Sequence, residues 1–97
     1  MYGTIARLRV KPGRQQALQD MIKEWDSKRM PKVKGAIPGY ILKPDNDPNG
    51  ALLMAVFEDK ESYVANAQDP EQDKWFRQFR ANLDADPDWT DGEISQL

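Results

Sequence analysis

The stretch Ala51 to Phe57, ALLMAVF, is a nearly continuous apolar run of strand length that stops at Glu58-Asp59. It reads as the buried central strand of a sheet, because no residue in it offers a polar face to water. Such a strand has to be covered, and the residues after it supply a cover. Asp59 is placed to accept hydrogen bonds from the free N–H groups of a following helical turn. Asp69-Pro70-Glu71-Gln72 repeats the device, with a cap, a proline at the first helical position and a capping-box glutamine. Two helices are therefore expected after one strand. In the second, Trp75, Phe76, Phe79 and Leu83 share a broad face, while Lys74, Arg77, Gln78 and Arg80 fall largely on the other.

The rest of the chain supplies the remaining elements. Thr4 to Val10 alternates, with Ala6, Leu8 and Val10 on one face and Ile5, Arg7 and Arg9 on the other, which predicts a half-buried strand ended by Lys11-Pro12-Gly13. From Arg14 to about Arg29, Leu18, Met21, Ile22 and Trp25 keep helical spacing. Met30 to Pro38, with two prolines, a glycine and two lysines, is expected to be a loop. Gly39 to Lys43 is short and β-prone, and Asp45 to Gly50 is a turn cluster that joins it to the central strand as a hairpin. Thr90 to Leu97 is expected to form a fourth strand after an acidic connection at Asp84 to Asp88. The order β-α-β-β-α-β, with its second helix broken near Asp69-Pro70, is the ferredoxin-like α+β arrangement with a four-stranded antiparallel sheet. Helices cover one face of that sheet. With Ile5 and alternate residues of the apolar strand on the other face, a second sheet from an identical subunit is the expected neighbour.

Ninety-seven residues with 39% hydrophobic content are expected to form one domain, 1–97, with a real but small core. The net charge of −2 hides an asymmetry. Met1 to Lys43 carries ten Lys/Arg against three Asp/Glu, and Pro44 to Leu97 carries four against thirteen. Neither half is a continuous basic run with interleaved aromatics, so the expectation is pairing within or between subunits and no nucleic-acid partner. No apolar stretch has membrane-spanning length and no signal-like segment opens the chain. The protein is thus expected to begin near Met1, to stay soluble and to reside in the cytoplasm. Cys and His are both absent. That removes disulfides, thiolate nucleophiles, Ser-His-Asp triads, the usual zinc sites and an imidazole base.

The residues that follow the central strand, taken with the element order, resemble the antibiotic biosynthesis monooxygenase family of dimeric α/β-barrel proteins. The resemblance spans almost the whole chain. It rests on Pro38-Gly39-Tyr40 before the second strand and on Phe57, Tyr63, Asn66, Asp69 and Pro70 at the family's spacing. It implies a homodimer with sheets packed face to face and a pocket in each subunit between sheet and helices. It also implies oxidation of polycyclic aromatic substrates by dioxygen, with no metal or flavin. By the same resemblance, Tyr63 and Asn66 match the Tyr and Asn of the cofactor-free quinone-forming members. Phe57 stands where those members have Trp, Leu53 where they have Asn, and Phe76 near the place of their helix Arg, with Arg77 one position on. The haem-degrading branch ligates iron through a His, which this chain lacks.

On these grounds the candidate catalytic residues are Tyr63 and Asn66, and the candidate substrate-binding residues are Trp25, Phe57, Trp75, Phe76, Arg77 and Phe79, with no metal and no cofactor. Tyr63 is either a core tyrosine bonded to a backbone group or a phenol facing substrate, and Asn66 is either a capping residue or a group that orients a substrate oxygen. The aromatic stripe is either core or the wall of a small-molecule pocket. Asp45, Asp47, Asn49 and Gly50 match half a calcium loop, but Val56 stands where its bidentate Glu belongs, so a hairpin turn is expected. Asp84, Asp86, Asp88 and Asp91 are expected to be a solvated connection. No general base is identifiable. The two functional classes in play are a cofactor-independent monooxygenase for a hydrophobic aromatic molecule and a non-catalytic dimeric binding or stress-response protein. An apolar cavity with an unpaired Tyr63 hydroxyl facing into it would favour the enzyme, and a filled core would exclude both.

Overall fold

In β1 (Tyr2–Arg9) the period-two pattern sorts the side chains: Thr4, Ala6 and Leu8 are buried, and Ile5, Arg7 and Arg9 point outward. The structure, a computed structural model, describes residues 1–97. β3 (Gly50–Phe57) lies antiparallel to β1, with Thr4 opposite Ala55, Ala6 opposite Leu53 and Leu8 opposite Ala51. That register turns Ala51, Leu53, Ala55 and Phe57 to the same face as the buried residues of β1. β2 (Ala36–Leu42) pairs with the other edge of β3, and β4 (Asp88–Glu93) with the other edge of β1, which gives the antiparallel order β2-β3-β1-β4.

Three helices, α1 (Gln15–Glu24), α2 (Lys60–Ala67) and α3 (Pro70–Arg80), complete a ferredoxin-like α+β domain. The aspartates act as the sequence predicts. Asp59 Oδ1 accepts from Ser62 N at 2.8 Å, and Asp69 Oδ1 accepts from Glu71 N at 2.9 Å. These backbone bonds are the main reason that both carboxyls sit below the usual aspartate pKa range. The core gathers at one end of the sheet, where Ala6, Leu8, Val10 and Ala51 meet Leu18 of α1 and Phe79 and Leu83 from α3 and just beyond it. No helix is long and apolar enough to cross a membrane.

Several boundaries differ from the sequence reading, each for a local reason. The expected loop Met30 to Pro38 is instead a 3₁₀ turn, Met30–Lys32, followed by the start of β2 at Ala36. Pro38 is accommodated because β2 is an edge strand and its pairing with β3 shifts register between Ile37 and Tyr40. The first helix does not continue as α-helix to Arg29; it becomes a five-residue π-helical turn, Trp25–Arg29. Gln72 closes no capping box, since its side chain is taken up by that turn. β4 begins at Asp88 rather than Thr90 and ends at Glu93. The acidic connection before it is not loose: Leu83 bridges Val10, Asp84 N donates to Arg9 O at 2.8 Å, and Asp86 pairs with Arg80 at 2.7 Å. Asp47 in the β2–β3 turn pairs with Arg9, and no three acidic residues of the chain converge as a metal-binding group.

Phe79 is the largest fully buried side chain. Phe79→Ala is expected to cost about 3–5 kcal/mol in urea-unfolding free energy, the range for truncating a buried aromatic.

Candidate functional site

Away from the core end, the inner sheet face and the helices do not close on one another. They leave a cavity of about 560 Å³ floored by Leu53, Ala55 and Phe57. Its walls are largely aromatic. Trp75 stacks on Phe79 with ring centroids 5.0 Å apart and meets the edge of Trp25 at 6.5 Å, while Phe76 lies 5.9 Å from Trp89 of β4. Tyr63 of α2 forms the opposite bank, its ring 5.6 Å from Phe57 and 5.3 Å from Tyr2. The helical spacing of Trp75, Phe76 and Phe79 thus serves core and cavity at once, Phe79 being the shared residue.

The Tyr63 hydroxyl donates to Asp91 Oδ1 at 3.0 Å, and no backbone group takes that role. Burial, and then the adjacent Asp91 carboxylate, push the phenol up to about 12 from its ordinary 10.0. At neutral pH Tyr63 is therefore a neutral phenol with its proton committed to Asp91. The other oxygen of Asp91, Oδ2, receives no hydrogen bond from the protein, and no Lys or Arg pairs with this carboxylate.

A second polar group closes the junction of the helices. The π-helical turn directs Trp25 and Arg29 at α3, where Trp25 Nε1 and Arg29 Nε both donate to Gln72 Oε1, at 3.0 and 3.1 Å. Arg29, with only 19% of its side chain exposed, also binds Asp69 Oδ2 at 3.2 Å and reaches Asn66 Oδ1 at 3.4 Å. Because Arg29 engages the carbonyl oxygen of Asn66, the Asn66 amide group is left as a donor. Two further cavity residues carry buried polar atoms without a partner, the Trp75 indole N–H and Gln19 Oε1.

Of the residues singled out in the sequence, Trp25, Phe57, Tyr63, Asn66, Trp75, Phe76 and Phe79 all line this one cavity. Arg77 does not. It stands on the solvent side of α3, 79% exposed, and pairs with Asp73 at 3.0 Å one helical turn away. Trp89 and Asp91 are cavity residues that the sequence reading missed. The signal for them was a β4 that starts two residues earlier: Trp89, Asp91 and Glu93 then fall on the inner face, opposite Ala6, Thr4 and Tyr2.

The fold and the open space between its two layers define a class, the ferredoxin-like α+β domains that keep a cavity under their helices. Residues 1–78 match the family model described as Antibiotic biosynthesis monooxygenase. The chain belongs to the antibiotic biosynthesis monooxygenase family, and the matched span ends before β4. No curated protein matches it. Among solved structures it is similar to a conserved protein from Methanosarcina mazei Go1, at 16% identity over 97% of this chain and 92% of that one with a TM-score of 0.81. It is also similar to Rv0793 from Mycobacterium tuberculosis, at 12% identity over 99% and 96% of the two chains with a TM-score of 0.77. A third structure, described as an antibiotic biosynthesis monooxygenase, shares 12% identity over 99% of this chain and 100% of that one, with a TM-score of 0.74. At these identities the likeness speaks for the fold.

The Tyr63 phenol sets a pH dependence whose sign can be worked out. The native state keeps this proton to higher pH than the unfolded chain. The resulting stability is fully present below about pH 10 and is lost as pH rises through about 12. The expected outcome is an ultraviolet phenolate step near pH 12 in the difference between the wild type and Tyr63→Phe. In Asp91→Asn that step moves part of the way back toward 10, because burial remains.

Proposed function

We propose that the chain is a homodimer that takes up a hydrophobic aromatic or polycyclic molecule in the cavity and oxidises it with dioxygen, without metal, flavin or haem. The observation that carries this reading is the cavity itself: about 560 Å³, walled by aromatic rings and edged by few polar groups. That is the size and character of a small-molecule site. Phe57, Trp75, Phe76, Phe79 and Trp25 give it flat apolar surfaces. Asn66, held by Arg29 as a donor, polarises an oxygen of the substrate, while Tyr63 lends its ring to the wall and its O–H to Asp91. The electrons for oxygen reduction come from the substrate: a ring methylene becomes a carbonyl, and the second oxygen atom leaves as water.

The outer face of the sheet supports the homodimer. Tyr40, Met54 and Ile5 form one cross-strand row and Leu42, Leu52 and Arg7 the next, with Tyr40 74%, Leu42 56% and Ile5 44% exposed. The chain exposes 6718 Å², whereas a folded monomer of its mass, 11.1 kDa, exposes roughly 5,700 Å². The excess, roughly 1,000 Å², is comparable with the ~800 Å² that each partner covers in a standard interface. A two-fold pairing of these faces satisfies both observations.

A second reading, a dimer that sequesters or senses a metabolite, is favoured by the polar character of the site: the Tyr63 hydroxyl is already paired with Asp91, and Phe57 and Leu53 add only apolar surface to the cavity. Oxygen uptake and thermal shift, followed together with hydroxylated anthrones and naphthols, separate the two. The enzyme raises oxygen uptake above the protein-free rate, and Tyr63→Phe suppresses it with folding nearly intact. A thermal shift without uptake identifies the binding protein, and equal uptake in the variant removes Tyr63 from the mechanism. For the assembly, sedimentation is expected to give a dimer in the wild type and a monomer in Ile5→Asp; a monomeric wild type sinks the face-to-face pairing.

A further inference from the structure

We propose that Asp91 is the proton acceptor of the cavity, taking a proton at Oδ2 from the acidic O–H or C–H of a hydroxylated aromatic ligand while Tyr63 holds the carboxylate in place. This rests on the reading of the cavity as an aromatic-binding site. Three carboxylates line the cavity, Asp26, Asp73 and Asp91. Asp73 is paired with Arg77 at 3.0 Å, so its charge is already matched by a guanidinium. Asp26 stands on the π-helical turn, and no hydrogen bond fixes its side chain. Asp91 alone is both oriented and unneutralised, with Oδ1 fixed by the Tyr63 hydroxyl at 3.0 Å and Oδ2 free.

The backbone supports the same assignment. Asp91 faces Thr4 across the β1–β4 ladder, and the Thr4 side chain donates to Thr90 O at 3.1 Å, tying that stretch of β4 to the central strand. The carboxylate is therefore presented from a strand rather than from a loose loop, as positioning of a base requires. Tyr63 cannot take the role itself, because its phenol keeps its proton to about pH 12. Asp91 lies on the exposed side of the cavity, so a proton it receives has a route to solvent. In the step, the ligand's O–H or C–H bond breaks and its electron pair stays on the ligand as phenolate or carbanion. The proton forms a new bond to Oδ2, and water later removes it. The ligand anion is the electron-rich species that the proposed oxygen chemistry needs.

Proton transfer can be read without oxygen. Under nitrogen in D₂O, exchange of the ring-methylene protons of a dihydroxyanthrone is followed by NMR alongside its thermal shift. The wild type is expected to accelerate exchange over the protein-free rate. Asp91→Asn is expected to slow that exchange by about 10²-fold with the thermal shift retained, the lower end of what a general base contributes. Asp91→Glu restores part of the rate, and Tyr63→Phe lowers it about tenfold with affinity unchanged, as loss of one orienting hydrogen bond would. Binding without accelerated exchange, or equal exchange in Asp91→Asn, overturns the assignment and leaves the aromatic-site reading standing. Absence of any thermal shift overturns that reading, and the assignment with it.

Discussion

The antiparallel ladder between β1 and β3 decides what every other element faces. Once Thr4 lies opposite Ala55 and Ala6 opposite Leu53, the side chains of both strands are sorted into an inner set, which the helices cover, and an outer set, which they cannot reach. A slip of one residue would exchange the two sets and put Arg7 and Arg9 under α1 and α3. The core at the Leu8 end and the cavity at the Thr4 end both follow from this register. At the first, small Ala51 lets Phe79 and Leu83 seat against the sheet; at the second, the helices stand off over Ala55.

Most of the fold was legible because its signals are local and redundant. Period-two alternation in β1, the apolar run in β3 and the two aspartate caps each specify an element without help from the rest of the chain. The boundaries that shifted are those where tertiary context overrules local propensity. Pro38 argues against a strand unless the strand is at an edge with a register shift, and nothing in Met30 to Pro38 announces an edge. The π-helical turn is likewise invisible to periodicity, because its cause is distant: Gln72, 43 residues beyond Arg29, accepts from both ends of the turn.

The candidate site was legible in part for the same reason. Helical spacing made Trp75, Phe76 and Phe79 a single face, and the resemblance to the family marked Tyr63 and Asn66. Arg77 follows Phe76 on the helix, and a rotation of about 100° per residue is enough to carry it from cavity to solvent. The partners that give the polar residues their chemical character lie far along the chain. Arg29 fixes which end of the Asn66 amide is free, and Asp91 fixes where the Tyr63 proton points. Electrostatic complementarity between the two halves of the chain is realised in Arg9–Asp47 and Arg29–Asp69, of which the second borders the site.

β4 is a six-residue edge strand that pairs with β1 alone and lies beyond the span matched by the family. It nevertheless presents Trp89 and Asp91 to the cavity. A short outer strand contributes little to the core, so its inward positions tolerate replacement that the central strands would not. The domain thus separates what must be kept from what can be varied: β1, β3 and α3 preserve the container, and β4 is a place where new chemistry can be tried at small risk to folding. Divergence of substrate among such domains would then be written first in the last strand, two residues at a time.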